Sequence, residues 1–245
     1  MASVDVVVPV YNEQEALPRG IPTLHRFLSS DTFSHDWHIV IADNASIDGT
    51  PEVSAKLAKE LRDVTYVHIP VKGRGHALRE TWSKSSMDIV SYMDVDLSTD
   101  LIAFPPLIDA VAQGGHDLAV GTRLAHGSDT RRSLQRETLS RGYNLLIKAM
   151  FQARFSDAQC GFKAARATVA RRLIPLIQDG GWFFDTELLI LAEKVGYSIQ
   201  EIPVRWREEP DTRVRIGETM WEDIRGLLRL RLSRPWRRGK GGERP

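Results

Sequence analysis

At 245 residues the chain is long enough for one large α/β domain or two small ones with a proper core. Its 42% hydrophobic and 27% charged content is ordinary for a soluble globular protein, and a formal net charge of +1 argues against a nucleic-acid-binding field. A single cysteine, Cys160, excludes an internal disulfide and fits a reducing compartment, and no apolar run approaches the roughly 20 residues that a membrane span needs. The N-terminus enters a strand pattern with no basic or long apolar leader, so no signal peptide is expected. A cytoplasmic location follows as the expectation, with any membrane contact peripheral and at the cytoplasmic face.

Taken in order, the first half repeats one unit. Val4–Val8 reads as a strand stopped by Pro9, after which Asn12 is expected to cap a helix with Ile21, Leu24, Phe27 and Leu28 on one face. His38–Ala42 is a second strand, closed by the turn-rich 43–49. Thr50 and Pro51 then open a helix with a hydroxyl at the cap and proline at the first position. Val64–Ile69 is a third strand, followed by the glycine loop Lys72-Gly73-Arg74-Gly75 and a helix over His76–Ser85. The fourth strand, Ile89–Ser98, is an apolar, β-prone run ending in two carboxylates, Asp94 and Asp96. Side chains alternate faces along an extended chain, so both would project to one side. Two oxygen donors there suit Mg²⁺ or Mn²⁺, whose shell substrate phosphates and water complete. An isolated Asp-x-Asp is more often a strand followed by a solvated acidic turn, and its neighbours decide between the two. Alternating strands and helices imply a parallel sheet with right-handed crossovers that binds ligands outside its carboxyl ends.

The second half is less regular. Asp117–Gly121 reads as another strand, and the polar, basic stretch Ala125–Arg136 as a mobile loop. Helices are expected over Leu139–Phe151, Thr168–Gln178 and Thr186–Val195, and a final strand over Ser198–Arg207. From Thr219 onward, Trp221, Ile224, Leu227, Leu228, Leu230 and Leu232 alternate with arginines, which suits an amphipathic helix on anionic lipid or one packed on the domain. The division expected is 1–216 for the main α/β domain and 217–245 for an amphipathic basic helix and flexible tail.

The segments 8–13 (Val-Pro-Val-Tyr-Asn-Glu), 43–50 (Asp-Asn-Ala-Ser-Ile-Asp-Gly-Thr), Gly73-Arg74-Gly75 and Asp94-Val95-Asp96 together resemble the ordered signature of inverting GT-A glycosyltransferases of family 2. Asp157 to Lys163 and Phe184-Asp185-Thr186-Glu187 resemble the narrower branch of dolichyl- or polyprenyl-phosphate sugar synthases. Each fragment alone is weak, but their order and spacing over about residues 4–215 are specific. The fold implied is a Rossmann-like, mostly parallel α/β sheet flanked by helices.

The resemblance also implies roles. Pro9, Tyr11, Glu13 and Asp43 would hold the nucleoside of an NDP-sugar donor, of the GDP-mannose or UDP-glucose type. Gly73 and Gly75 would let backbone approach the nucleotide, with Arg74 adding charge. Asp96 would be the direct metal ligand and Asp94 shared between ribose and metal. Ser98 stands where some relatives have glutamine, so no third ligand is expected from it. A polyprenyl phosphate is already largely anionic at neutral pH and needs cationic clamps more than a general base. Arg123, Arg136, Ser140 and Arg213 match the positions that bind it, with Arg215 an alternative to Arg213. Asp157 and Lys163 would line the sugar end, with Asp157 a base if the acceptor were a hydroxyl. Asp185 and Glu187 are cavity groups or helix-start acids, and Cys160 a small buried hydrophobe. The rival readings are a family 2 enzyme acting on a hydroxyl acceptor and a non-catalytic nucleotide-sugar-binding protein.

Overall fold

Val4, Val6, Val7 and Val8 are all buried because strand β1 (Ser3–Val10) lies in the middle of a sheet covered on both faces. The computed structural model describes residues 1–131, 134–207 and 216–237, with the backbone alone at 131, 134–136 and 216–219. After β1 come α1 (Leu17–Leu28), β2 (Asp36–Asn44), α2 (Thr50–Glu60), β3 (Val64–Ile69), α3 (Arg74–Lys84) and β4 (Ile89–Met93). Then follow α4 (Phe104–Ala112), β5 (Leu118–Thr122), β6 (Asp129–Arg131), α5 (Leu134–Phe151), β7 (Phe162–Arg166) and α6 (Ala167–Leu173). The chain closes with α7 (Phe184–Val195), β8 (Ile199–Pro203), β9 (Arg205–Arg207) and α8 (Ile216–Ser233).

Among the described residues, seven strands form one sheet in the order β3-β2-β1-β4-β7-β5-β8. It is parallel except at β7, which runs antiparallel to β4 and β5, so the α/β expectation holds with one reversed strand. That reversal matters for the site. The amino end of β7 pairs with the carboxyl end of β4, Phe162 with Met93, so the loop entering β7 reaches the edge where Asp94 lies.

Several local expectations are corrected. Pro9 lies within β1: pairing with β4 ends at Val7↔Tyr92, leaving that side of β1 open, where a residue with no N–H is tolerated. Asn12 caps no helix; at φ 56° it accepts from the Ile47 N–H at 2.9 Å and so ties the β1 and β2 loops together. The Thr50 hydroxyl accepts from the Glu13 N–H at 2.7 Å and does not cap α2. β4 ends at Met93, and a turn closes from the Leu97 N–H to the Asp94 carbonyl at 3.2 Å, so strand alternation does not orient the two aspartates. The stretch read as a mobile loop holds β6 and the start of α5. Ser198–Arg207 is two strands, broken at buried Val204, and β9 pairs with β6 in a separate ribbon. Helix α8 packs on the domain, one of the two readings of that stretch: Leu227 and Leu230 are buried in the common core, and Trp236 packs edge-on against Phe151.

Candidate active site

At the carboxyl end of β4, Asp94 keeps 44% of its side chain exposed, and Asp96 two residues on is exposed. Arg74, in the first turn of α3, donates to Asp94 Oδ1 at 3.2 Å. Its other terminal nitrogen binds Asp185, in the first turn of α7. Asp185 has no exposed side-chain surface and also accepts from Lys163 at 2.8 Å and from the Tyr92 hydroxyl. Burial alone would raise the Asp185 carboxyl, but Lys163 and Arg74 outweigh it and hold it below the usual carboxylate range. Asp94 is different. Although one face stays open, loss of water around the rest of the carboxyl pushes it up to about 6; Arg74 opposes this, and Asp96 and Asp185 add repulsion.

Room for this arrangement comes from Gly161. A Cβ at that position would run into the Asp94 carboxylate, so glycine lets the β7 loop pass against it. Gly73 and Gly75 serve another close approach, because a Cβ on either would meet Gly180. The first N–H groups of α3 are likewise taken: Gly75 donates to the Gly181 carbonyl at 3.2 Å and His76 to the Gly180 carbonyl at 3.0 Å. The glycine loop thus packs on segment 179–182, with Trp182 stacked 4.3 Å from the Arg74 guanidinium.

The nucleoside and acceptor positions divide sharply. Tyr11 is partly exposed, with the Lys72 ammonium 4.1 Å above its ring. Asp43 is wholly buried. Its oxygens accept from the Ser46 N–H at 3.0 Å and the Tyr66 hydroxyl at 3.2 Å, with His68 Nδ1 at 2.8 Å, so it braces the β2 end and presents no surface to a ligand. Arg123 and Asp157 form a two-pronged ion pair, Nε–Oδ2 2.7 Å and Nη2–Oδ1 2.9 Å. Arg123 overcomes the effect of burial and holds Asp157 low, so this carboxylate is not a poised base, and the pairing fixes the orientation of the Arg123 guanidinium. Lys163 is buried against the Cys160 carbonyl at 2.6 Å, the Ala158 carbonyl at 3.2 Å and Asp185, and is a counter-ion of the interior. Ser140 Oγ is buried with no partner among the described residues. The Arg136 side chain, Arg213 and Arg215 lie outside the described residues. Cys160 is buried, and its thiol is pushed up to about 12 by burial, as suits an unreactive hydrophobe.

Residues 5–174 match the sequence profile described as glycosyl transferase family 2. The chain belongs to that family. Glycosyltransferase AglD of Haloferax volcanii is 33% identical over 216 residues, covering 86% of this chain, which spans 34% of AglD's length. A dolichyl-phosphate beta-glucosyltransferase of Saccharomyces cerevisiae is 27% identical, with 93% of this chain and 74% of the yeast protein covered. Glucosyl-3-phosphoglycerate synthase from Mycobacterium tuberculosis, solved with Mn²⁺ and UDP-glucose, superposes with a TM-score of 0.69 at 20% identity, covering 94% of this chain and 79% of that one. The fold is therefore the GT-A fold, and the protein is a glycosyltransferase rather than a non-catalytic binder.

For this family 2 enzyme the structure brings Asp94, Asp96 and Arg74 together at the carboxyl end of β4, with Asp185 and Lys163 buried behind Arg74 and Asp157 buried against Arg123. Sequence reasoning passed over Lys72, Trp182, Gly161 and Tyr92. Lys72 had a signal, a cation directly before the glycine loop. Gly161 stood inside the segment Asp157 to Lys163 that carries the resemblance, but its role, the width of a gap between β4 and the β7 loop, had no signal in the sequence.

Proposed function

We propose that this glycosyltransferase moves glucose from UDP-glucose to dolichyl phosphate or a related polyprenyl phosphate, by one displacement with inversion at the anomeric carbon. Asp94 and Asp96, exposed at the carboxyl edge of β4, carry this reading, supported by the similarity to dolichyl-phosphate beta-glucosyltransferases. Two carboxylates fit a Mg²⁺ or Mn²⁺ ion whose remaining ligands are donor oxygens and water, and when bound it would offset charge on the departing diphosphate. Arg74 is a cation held against Asp94, and Tyr11, with the Lys72 ammonium over its ring, offers an aromatic face to the base. An acceptor phosphate oxygen attacks C1 of the sugar as the C1–O bond to UDP breaks, and the electron pair leaves on the diphosphate. No proton need be removed from an acceptor that is already an anion. This agrees with Asp157 being committed to Arg123.

The deciding assay supplies labelled UDP-glucose, Mn²⁺ and dolichyl phosphate and counts label extracted into organic solvent. Organic-phase label that is alkali-stable and acid-labile supports the reading. Label passing only to sugar alcohols would replace the acceptor and leave the glycosyltransferase standing. Within that assay, Arg136→Ala should impair transfer to lipid phosphate far more than hydrolysis of donor by water, which needs no clamp. Arg136→Lys should restore only part, because it keeps charge without the two-pronged geometry. Equal effects on both reactions would remove Arg136 from the acceptor site.

A membrane-bound acceptor also calls for a surface that meets lipid. No helix of the described residues is long and apolar enough to cross a membrane. Helix α8 exposes Trp221, Arg225, Leu228 and Leu232, with Leu232 82% exposed, on the face opposite its buried Leu227 and Leu230. We place that stripe on anionic lipid, apolar groups at the acyl boundary and arginines at headgroups. Truncation after Ser233 would remove buried Trp236, so Trp221→Ser with Leu232→Ser is the cleaner variant. It should sediment less with phosphatidylserine vesicles while binding UDP as wild type does. Equal sedimentation would take α8 out of the membrane argument.

A further inference from the structure

The family profile ends at residue 174, yet the helix beyond it reaches back to both sides of the site. Asp223 of α8 is 3% exposed, and its Oδ2 accepts from Gln159 Nε2 at 2.7 Å. Gln159 in turn donates its backbone N–H to Asp157 Oδ1 at 3.2 Å, and Asp157 grips Arg123. One turn and a half later, Arg229 of α8 donates to Gln178 Oε1 and to Glu187 Oε2, each at 2.9 Å. That same Glu187 oxygen accepts the N–H groups of Gln178 at 3.2 Å and Asp179 at 2.9 Å. The loop so held supplies the carbonyls that cap α3 and the ring that stacks on Arg74. Between the two hooks, Gly226 lets the helix backbone lie on Phe183, where any Cβ would overlap the ring.

A helix needed only for packing would be expected to bury leucines, as α8 does with Leu227 and Leu230. Placing a carboxylate there is costly: burial pushes Asp223 up to about 7, with Asp179, Glu222 and Asp185 adding repulsion and Gln159 opposing it. Its Oδ1 has no partner among the described residues. The favourable return visible for that cost is the hold on Gln159.

We propose that Asp223 and Arg229 are positioning residues for sugar transfer. Asp223 sets the loop 157–160 that orients Arg123, and Arg229 sets the loop 178–182 that orients Arg74, so α8 completes the catalytic unit from beyond the residues that match the family profile. The inference rests on the transfer reaction proposed above for its rate measurements, and on UDP binding for a measurement independent of it.

Asp223→Ala, Gln159→Ala and the double variant are compared for kcat and for KM of donor and acceptor. Misplacement of a reacting group by about 1 Å costs up to about 10²-fold, so a loss of that order in kcat is expected, with UDP affinity unchanged. The double variant should fall no further than the worse single one, because both break one link. Asp223→Asn keeps an acceptor for Gln159 and should restore most of the rate. Arg229→Ala should instead weaken UDP binding in the presence of Mn²⁺, through Arg74. Additive losses, no rescue by asparagine, or unaltered UDP affinity in Arg229→Ala would overturn the proposal. Should Asp223→Ala not fold, Asp223→Asn and Gln159→Ala carry the same test, and wild-type kcat in Gln159→Ala would overturn it. If wild type transfers nothing to dolichyl phosphate, the acceptor reading fails, and the UDP measurement on Arg229→Ala still decides the hook on loop 178–182.

Discussion

Asp96→Asn is expected to lower turnover by on the order of 10² or more while leaving the fold intact, since loss of metal-centred stabilisation is worth several kcal/mol in the transition state. Asp96 is exposed and caps only its own turn, accepting from the Ser98 N–H at 2.9 Å, so asparagine keeps that contact and removes only the charge. Stability should change by no more than an ordinary surface substitution changes it, about 0.5 kcal/mol. Titration of Asp94 adds a sign that can be checked. Its folded value near 6 lies above that of a free carboxyl, so a proton occupies it below pH 6 and must leave for a cation to bind. Apparent Mn²⁺ affinity should therefore fall as pH drops from 7 to 5, and fall less steeply in Asp94→Asn. Turnover of Asp96→Asn near the wild-type rate, or full activity of wild type in excess chelator, would sink the metal assignment.

Asp185→Ala should produce the largest loss of stability. This carboxylate is the shared anion of Lys163 and Arg74, both largely buried, and it accepts the Tyr92 hydroxyl. Its removal leaves Lys163 buried without a carboxylate partner and Arg74 with Asp94 alone, and breaking a buried pair by deleting one partner commonly costs about 3–5 kcal/mol. For a domain of this size the melting point should fall by roughly 10 °C. Asp185→Asn keeps the shape but not the charge, so it should lie nearer to alanine than to wild type. The observation against it would be a melting curve for Asp185→Ala that overlays the wild-type curve. Activity should fall in both, because Arg74 would lose the contact that aims it at Asp94.

What was legible in the sequence follows from local chemistry. Apolar β-branched runs such as Val4–Val8 and Ile39–Ile41 marked the buried parallel strands, and the polar turns between strands and helices marked the edge where Asp94 and Asp96 stand. The order of those turns was specific enough to point to the family, because a GT-A site is assembled from successive strand ends. Strand β7 escaped, since Phe-Lys-Ala-Ala-Arg carries a lysine where a buried strand would show valine. Only its pairing with β4 explains that lysine: it places Lys163 opposite Tyr92 and within reach of Asp185.

By itself, then, the sequence determined the fold class, the family and which residues carry charge at the sheet edge, because those depend on periodicity and on turns a few residues long. Only the tertiary structure decided how the charges are paired. Asp43 is closed off by Tyr66 and His68, Arg123 is engaged by Asp157, Asp94 is held by Arg74, and Asp223 reaches Gln159 from the last helix. Those partners lie 20 to 64 residues apart along the chain. A carboxylate or guanidinium exposed in the unfolded chain can meet any opposite charge, and the one it meets is chosen by which strand ends and helix turns the packed core brings within about 3 Å.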